Sequence, residues 1–128
     1  MIFFIHFESF RRLRNFGLTN IYKTVMSVLL EFSMFPTDKG ESVSPYVSRI
    51  VKAIDESGYD YKLTPMGTIV EANTLEEILD LVKKSYACLE ADCDRVYSSL
   101  KLDIRKGKPG RLQGKVRSVE EKIGKIKT

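Results

Sequence analysis

An α+β fold, layered as a sandwich of helices on one sheet, is predicted for this 128-residue chain by three observations. Stretches that alternate apolar with other residues mark strands. Apolar residues at i, i+3, i+4 and i+7 mark helices, and the two kinds of stretch follow one another as β-α-β-β-α-β. The length suits a single core rather than two. The domain is predicted over 26–128, with 1–25 as an N-terminal extension.

Val28 to Phe35 alternate a fully apolar set (Val28, Leu30, Phe32, Met34) with a mixed one (Leu29, Glu31, Ser33, Phe35), as a strand with two unequal faces does. Pro36 to Gly40 end it. Ser44 is the expected N-cap of a first helix, with Pro45 at its first position. Val47, Ile50, Val51 and Ile54 give that helix one buried stripe, and Gly58 stops it. Asp60–Thr64 and Thr68–Ala72 read as two short strands, paired as a hairpin through Pro65, Met66 and Gly67.

Thr74 and Glu77 form a capping box before a second helix, whose predicted buried stripe is Leu75, Ile78, Val82 and Leu89. From Arg95 to Arg105 the alternation returns, with Val96, Ser98, Leu100, Leu102 and Ile104 on one side and Tyr97, Ser99, Lys101, Asp103 and Arg105 on the other. This is the split order of ferredoxin-like domains, in which both helices cover one sheet face and the apolar strand sets form the core. Lys106 to Gly110 read as a linker. Ser118 and Glu121 are expected to cap a last short helix bearing Val119, Ile123 and Ile126, docked on the domain or on a neighbouring subunit.

The second sheet face then carries Glu31, Ser33, Lys62, Thr64, Glu71, Ser99, Lys101 and Asp103 beside Leu29, Phe35, Ile69 and Tyr97. A solvated face seldom holds so many apolar residues, and a dry core makes unpaired charges costly. Closure by a second subunit, with charges paired across the interface, meets both demands.

The composition, 43% hydrophobic and 30% charged, is that of a folding chain. The net charge of +4 sits at the ends: four Lys/Arg against one acid over 1–25, eight against fourteen over 26–104, nine against two over 105–128. An acidic domain argues against nucleic acid as a partner. Residues 1–25 include Phe3, Phe4, Phe7, Phe10 and Leu13 with Arg11, Arg12 and Arg14, the makings of an amphipathic helix. A start placed too early or a loose tail is the main reading of this segment; a membrane-surface or targeting helix is the alternative. The opening apolar run is too short to cross a bilayer and lacks the basic residues that precede a secretory core, so no membrane partner and a cytoplasmic location are expected.

Cys88 and Cys93 lack CxxC spacing and are expected to be reduced thiols, with no metal site. The single histidine, His6, lies in the extension, which disfavours a Ser-His-acid triad. Glu31, Glu71 and Asp103 could share a face for acid/base work, or pair with Lys62, Lys101 and Arg105 at an interface; the latter is favoured, and no catalytic residue is assigned. The fold's metal-carrying, RNA-binding and phosphate-cradling variants each lack their residues here: no CxxC or arginine follows the first strand, and no aromatic lies in the third. A binding or interaction domain remains. Thr64 and Thr68 bracket the hairpin with hydroxyls that donate and accept, Tyr46 and Tyr61 could stack on a heteroaromatic ring, and Met66 could adapt to its edge. Equally, threonines beside a turn are ordinary β-formers, and tyrosines in such elements commonly only pack.

Residues 27–122 resemble the family of small thiamine-binding ferredoxin-like proteins. The similarity is carried by Ser42 to Val47, by Gly58 to Thr68 with its Leu-Thr-Pro-Met-Gly-Thr run, by Glu71, by Arg95-Val96, by Lys101 to Arg105, and by Lys115 to Val119. The resemblance implies a subunit that pairs through its sheet faces as a homodimer or homotetramer. It also implies binding of thiamine or its hydroxymethylpyrimidine portion, without established catalysis and with no required cofactor. By position, Ser33, Ser44, Tyr46, Thr64, Met66, Thr68 and Glu71 are the ligand-binding candidates, and an acid such as Glu71 or Asp38 would favour the thiazolium cation. Ala72 stands where many relatives have glycine, and a histidine of the second helix is replaced near Tyr86.

Overall fold

The computed structural model describes residues 26–128; the reading of 1–25 as an extension or amphipathic helix lies outside them. The elements are β1 (Met26–Pro36), α1 (Ser44–Glu56), β2 (Asp60–Thr64), β3 (Gly67–Ala72), α2 (Leu75–Glu90), β4 (Val96–Lys106) and α3 (Arg111–Ile123). The strands form one antiparallel sheet in the order β2-β3-β1-β4, so the predicted ferredoxin-like α+β arrangement is the fold observed.

Alternation in β1 does what its two sets require. Val28, Leu30, Phe32 and Met34 are buried under α1 and α2, whose Ile50, Ile54, Ile78, Leu81 and Leu89 meet Val70 and Ala72 of β3 in the same core. Truncating a side chain as enclosed as Leu30 would cost about 2–5 kcal/mol. The stripe of α2 runs through Ile78, Leu81, Ser85 and Leu89, with Val82 only half-buried, because Ser85 enters the core by giving its hydroxyl to the Leu81 carbonyl at 2.8 Å. The Thr74 cap holds as read: its Oγ1 accepts from the Glu77 amide at 3.1 Å.

Three expectations need correction. Ser44 is the first residue of α1 rather than its cap. The amides of Tyr46 and Val47 both go to the Val43 carbonyl at 3.0 Å, which leaves the Ser44 hydroxyl no capping task. The last helix begins at Arg111, seven residues before the Ser118 at which it was expected, because its N-terminus is held by a side chain from another strand, as described below. Finally, the apolar side of β4 largely escapes the core. Val96 packs against it, but Leu100, Leu102 and Ile104 are 41%, 42% and 47% exposed, since α1 and α2 lie across β1, β2 and β3.

Candidate functional site

The register sorts the side chains of the open face, the one away from α1 and α2, into rows. Thr64 stands opposite Gly67, and Ser33 opposite Ser99. Gly67 joins the two pairs: a Cβ placed on it would lie 3.9 Å from that of Ser33 and 2.9 Å from the Phe32 carbonyl oxygen. No side chain fits there, so the row Thr64, Gly67, Ser33, Ser99 has a floor of backbone flanked by three hydroxyls.

On one side of this row, at the end of β1, the rings of Phe35 and Tyr97 meet at 5.7 Å and 44°. On the other lies the row Lys62, Ile69, Glu31, Lys101, with Lys101 Nζ 3.4 Å from Glu31 Oε1. The result is a shelf with an aromatic wall, a hydroxyl floor and a charged wall. The Thr64 hydroxyl is committed to the hairpin, donating to the Gly67 carbonyl at 2.7 Å and accepting from the Met66 amide at 3.3 Å. The hydroxyls of Ser33 and Ser99 have no partner among the described residues and keep both donor and acceptor capacity for a ligand.

Glu71 lies on the same face, two rows from the hydroxyl floor, in a different setting. Its carboxylate accepts from the Ser27 hydroxyl at 2.5 Å and from the amides of Arg111 and Leu112 at 3.0 Å each, so it caps α3 across the chain. Gly110, at φ +74°, turns the chain into that contact. The Arg111 guanidinium then closes the cluster, donating to Ser27 Oγ at 3.0 Å and the Ser27 carbonyl at 2.9 Å, and pairing with Asp103 at 2.8 Å. Burial works against the charge on Glu71, but the hydrogen bonds from Ser27, Leu112, Arg111 and Gly110 outweigh it and hold the pKa below the ordinary carboxylate value. Half-buried Leu112, Val116 and Val119 continue α3, which packs against β1 and β3. The chain's own helix therefore covers part of the face.

The predicted residues divide accordingly. Ser33 and Thr64 lie in the shelf, and Met66, 89% exposed, stands at its hairpin rim. Thr68 is opposite Phe32 on the helix side and buried, so the two hairpin threonines point to opposite sheet faces. Ser44 and Tyr46 belong to α1 on that same far side. Tyr46 has the Arg49 guanidinium 4.9 Å over its ring, and Arg49 is held by both Asp92 oxygens. Ser44 lines a separate open groove of about 690 Å³ between α1 and β2, along with Val47, Val51 and Leu63. Its Tyr61 hydroxyl is already donated to Asp55 at 2.8 Å. Asp38 likewise accepts from the Asp94 amide at 2.8 Å. Sequence reasoning placed Phe35, Tyr97 and Ser99 on the open face but did not count them as site residues; the signal was their shared parity with Ser33.

Both cysteines are free thiols, and no group of three or more His, Cys, Asp or Glu side chains among the described residues is arranged to hold a metal ion. Among those residues no helix is long and apolar enough to cross a membrane.

Comparison with known proteins places this geometry in a lineage. A UPF0045 protein of Methanothermobacter thermautotrophicus is 42% identical over 83 residues, covering 64% of this chain and 84% of its own length. The crystal structure of MJ1052 from Methanocaldococcus jannaschii superimposes with a TM-score of 0.66 at 36% identity, over 74% of this chain and 97% of that one. A Thermotoga maritima protein provisionally assigned to thiamine biosynthesis or salvage superimposes at 0.60 with 25% identity, over 73% and 98%. The family model described as thiamine-binding protein matches residues 30–120, and the chain belongs to that family.

Proposed function

We propose that this protein binds thiamine or a thiamine-related pyrimidine without transforming it, as a homo-oligomer of paired sheets acting in the cytoplasm. The observation that carries the reading is the pair of hydroxyls, Ser33 and Ser99, with no partner among the described residues, on a floor opened by Gly67 and walled by Phe35 and Tyr97. An aminopyrimidine presents donors and acceptors along its edge and a flat apolar face; hydroxyls serve the first and aromatic rings the second. The acid nearest the shelf is Glu31, one row away, exposed and shared only with the Lys101 ammonium at 3.4 Å, whereas the carboxylate of Glu71 is enclosed by its bonds to Ser27 and α3. The family description and the Thermotoga maritima relative support the same ligand class.

The test is calorimetric titration of the full chain with thiamine and with hydroxymethylpyrimidine. Saturable heat with either ligand, weakened in Ser33→Ala, supports the reading; absence of heat and of thermal shift at millimolar ligand ends it. A second reading, an oligomerisation domain with no small ligand, is favoured by the apolar residues of the open face. It expects Ser33→Ala to alter nothing.

A further inference from the structure

β4 is an edge strand of unusual character. Its eleven residues contain neither proline nor glycine, it pairs along its whole length with β1, and among the described residues its outer backbone edge meets no other strand. Its helix-side residues Leu100, Leu102 and Ile104 form an apolar strip that α1 and α2 leave open. Its other face carries Lys101, Asp103 and Arg105 in alternation. Long, regular edges with one apolar face are where chains pair, unless charges or bulges blunt them.

We propose that β4 pairs antiparallel with β4 of a second copy of this chain, about a two-fold axis at Leu102, joining two sheets into one of eight strands. The inference deepens the homo-oligomer of the proposed function by naming one of its contacts, and it needs no ligand. The register follows from the side chains. With the axis at Leu102, that residue meets the partner's Leu102, Leu100 meets the partner's Ile104, and Lys101 meets the partner's Asp103. The Leu102 pair lies on the axis and occurs once; the other two contacts each occur twice, as an isologous interface demands.

Neighbouring registers fail. Keeping the faces matched restricts the axis to residue positions, because directly opposed residues share a face. An axis at Lys101 sets two lysines against each other. An axis at Asp103 opposes two aspartates and puts Lys101 against the partner's Arg105, and like charges directly opposed are destabilising. An axis at Ile104 spends Leu102 on the partner's Lys106. The charges have partners within the chain, Lys101 with Glu31 at 3.4 Å and Asp103 with Arg111 at 2.8 Å, yet Lys101 is 80% and Asp103 70% exposed. Pairing therefore extends these two bridges into an alternating line of Arg111, Asp103, the partner's Lys101 and the partner's Glu31.

The experiment uses Leu102→Cys in the otherwise intact chain. Directly opposed residues of antiparallel strands have Cα atoms about 4.5–5.5 Å apart, within disulfide reach. Mild oxidation should give a cross-linked dimer on a non-reducing gel, absent from the parent protein with its two native cysteines. Adding Lys101→Asp or Asp103→Lys to Leu102→Cys should each lower the yield about tenfold, since each variant repels itself at two places. Mixing the two should restore the yield, with mass spectrometry showing one of each chain in the product, because every opposed pair is then of opposite sign. A folding defect in either variant would persist in the mixture. No cross-link with Leu102→Cys alone, whether because the first 25 residues cover the strip or because copies meet only by their sheet faces, overturns the proposal. So does a mixture that cross-links no better than its components. A failed ligand titration with intact cross-linking would instead remove the ligand and keep this contact.

Discussion

The two ends of the open sheet face solve the same problem in opposite ways. At the Glu71 end the side chains of Ser27, Glu71 and Arg111 are bonded to one another and to nearby backbone: carboxylate to hydroxyl and amides, guanidinium to hydroxyl, carbonyl and carboxylate. At the hairpin end Ser33 and Ser99 present hydroxyls with no partner among the described residues, beside two aromatic rings. A saturated cluster holds structure together and offers nothing to a ligand, whereas an unsaturated one contributes little to stability and can bind. The acid that resemblance put in the pocket is at the saturated end.

The sharpest way to break this contrast is Glu71→Ala. It removes the acceptor of the Ser27 hydroxyl and of two α3 amides and leaves the Arg111 cluster without its anion, so a loss of about 3 kcal/mol is expected by denaturant unfolding. Amide exchange should speed up first in Arg111 to Ile123, because the helix end loses the acceptor of its Arg111 and Leu112 amides. Protonation is a milder form of the same change, since the neutral acid keeps an acceptor. Because the folded-state pKa of Glu71 is depressed, its contribution is complete above the ordinary value of 4.5 and disappears as pH falls through the folded value. Stability measured between pH 7 and pH 3 should therefore fall more steeply for the parent than for Glu71→Gln.

Gly67→Ala probes the boundary between fold and site. Its Cβ would stand 2.9 Å from the Phe32 carbonyl oxygen, a backbone atom that cannot swing away, so β1 and β3 must separate slightly. A cost of about 1–2 kcal/mol is expected by thermal unfolding, with ligand heat lost at the same time because the floor of the shelf is raised.

How far these features could be read in advance depends on how local their causes are. The alternation of Val28 to Met34 and the Thr74 cap were legible because each is decided within a few residues. Face assignment was legible too, since parity within a strand is enough. The start of α3 was not: its cap is Glu71, forty residues upstream, and Arg111 itself reads as one more base in a basic tail. Thr64 and Thr68 misled for a related reason. They look adjacent across the turn, but Thr64 opposes Gly67 while Thr68 opposes Leu63 and Phe32, so the hairpin sends their side chains to opposite faces. The strip on β4 was legible as apolar and not as bare, because coverage depends on where two helices lie across four strands.

The smallest expected effect is the most telling for function. Ser33→Ala removes a half-buried hydroxyl that has no partner among the described residues and leaves a methyl group over the same backbone, so unfolding free energy should change by less than about 0.5 kcal/mol. A ligand hydrogen bond lost there would lower affinity for thiamine or hydroxymethylpyrimidine about fivefold to tenfold in calorimetry. Ser99→Ala, whose side chain is more exposed, should act in the same direction by a smaller factor. A protein that keeps its melting temperature while losing affinity has a binding surface at the hairpin end. One that loses stability instead has used those hydroxyls as the Glu71 end uses its own, and the distinction between the two ends disappears.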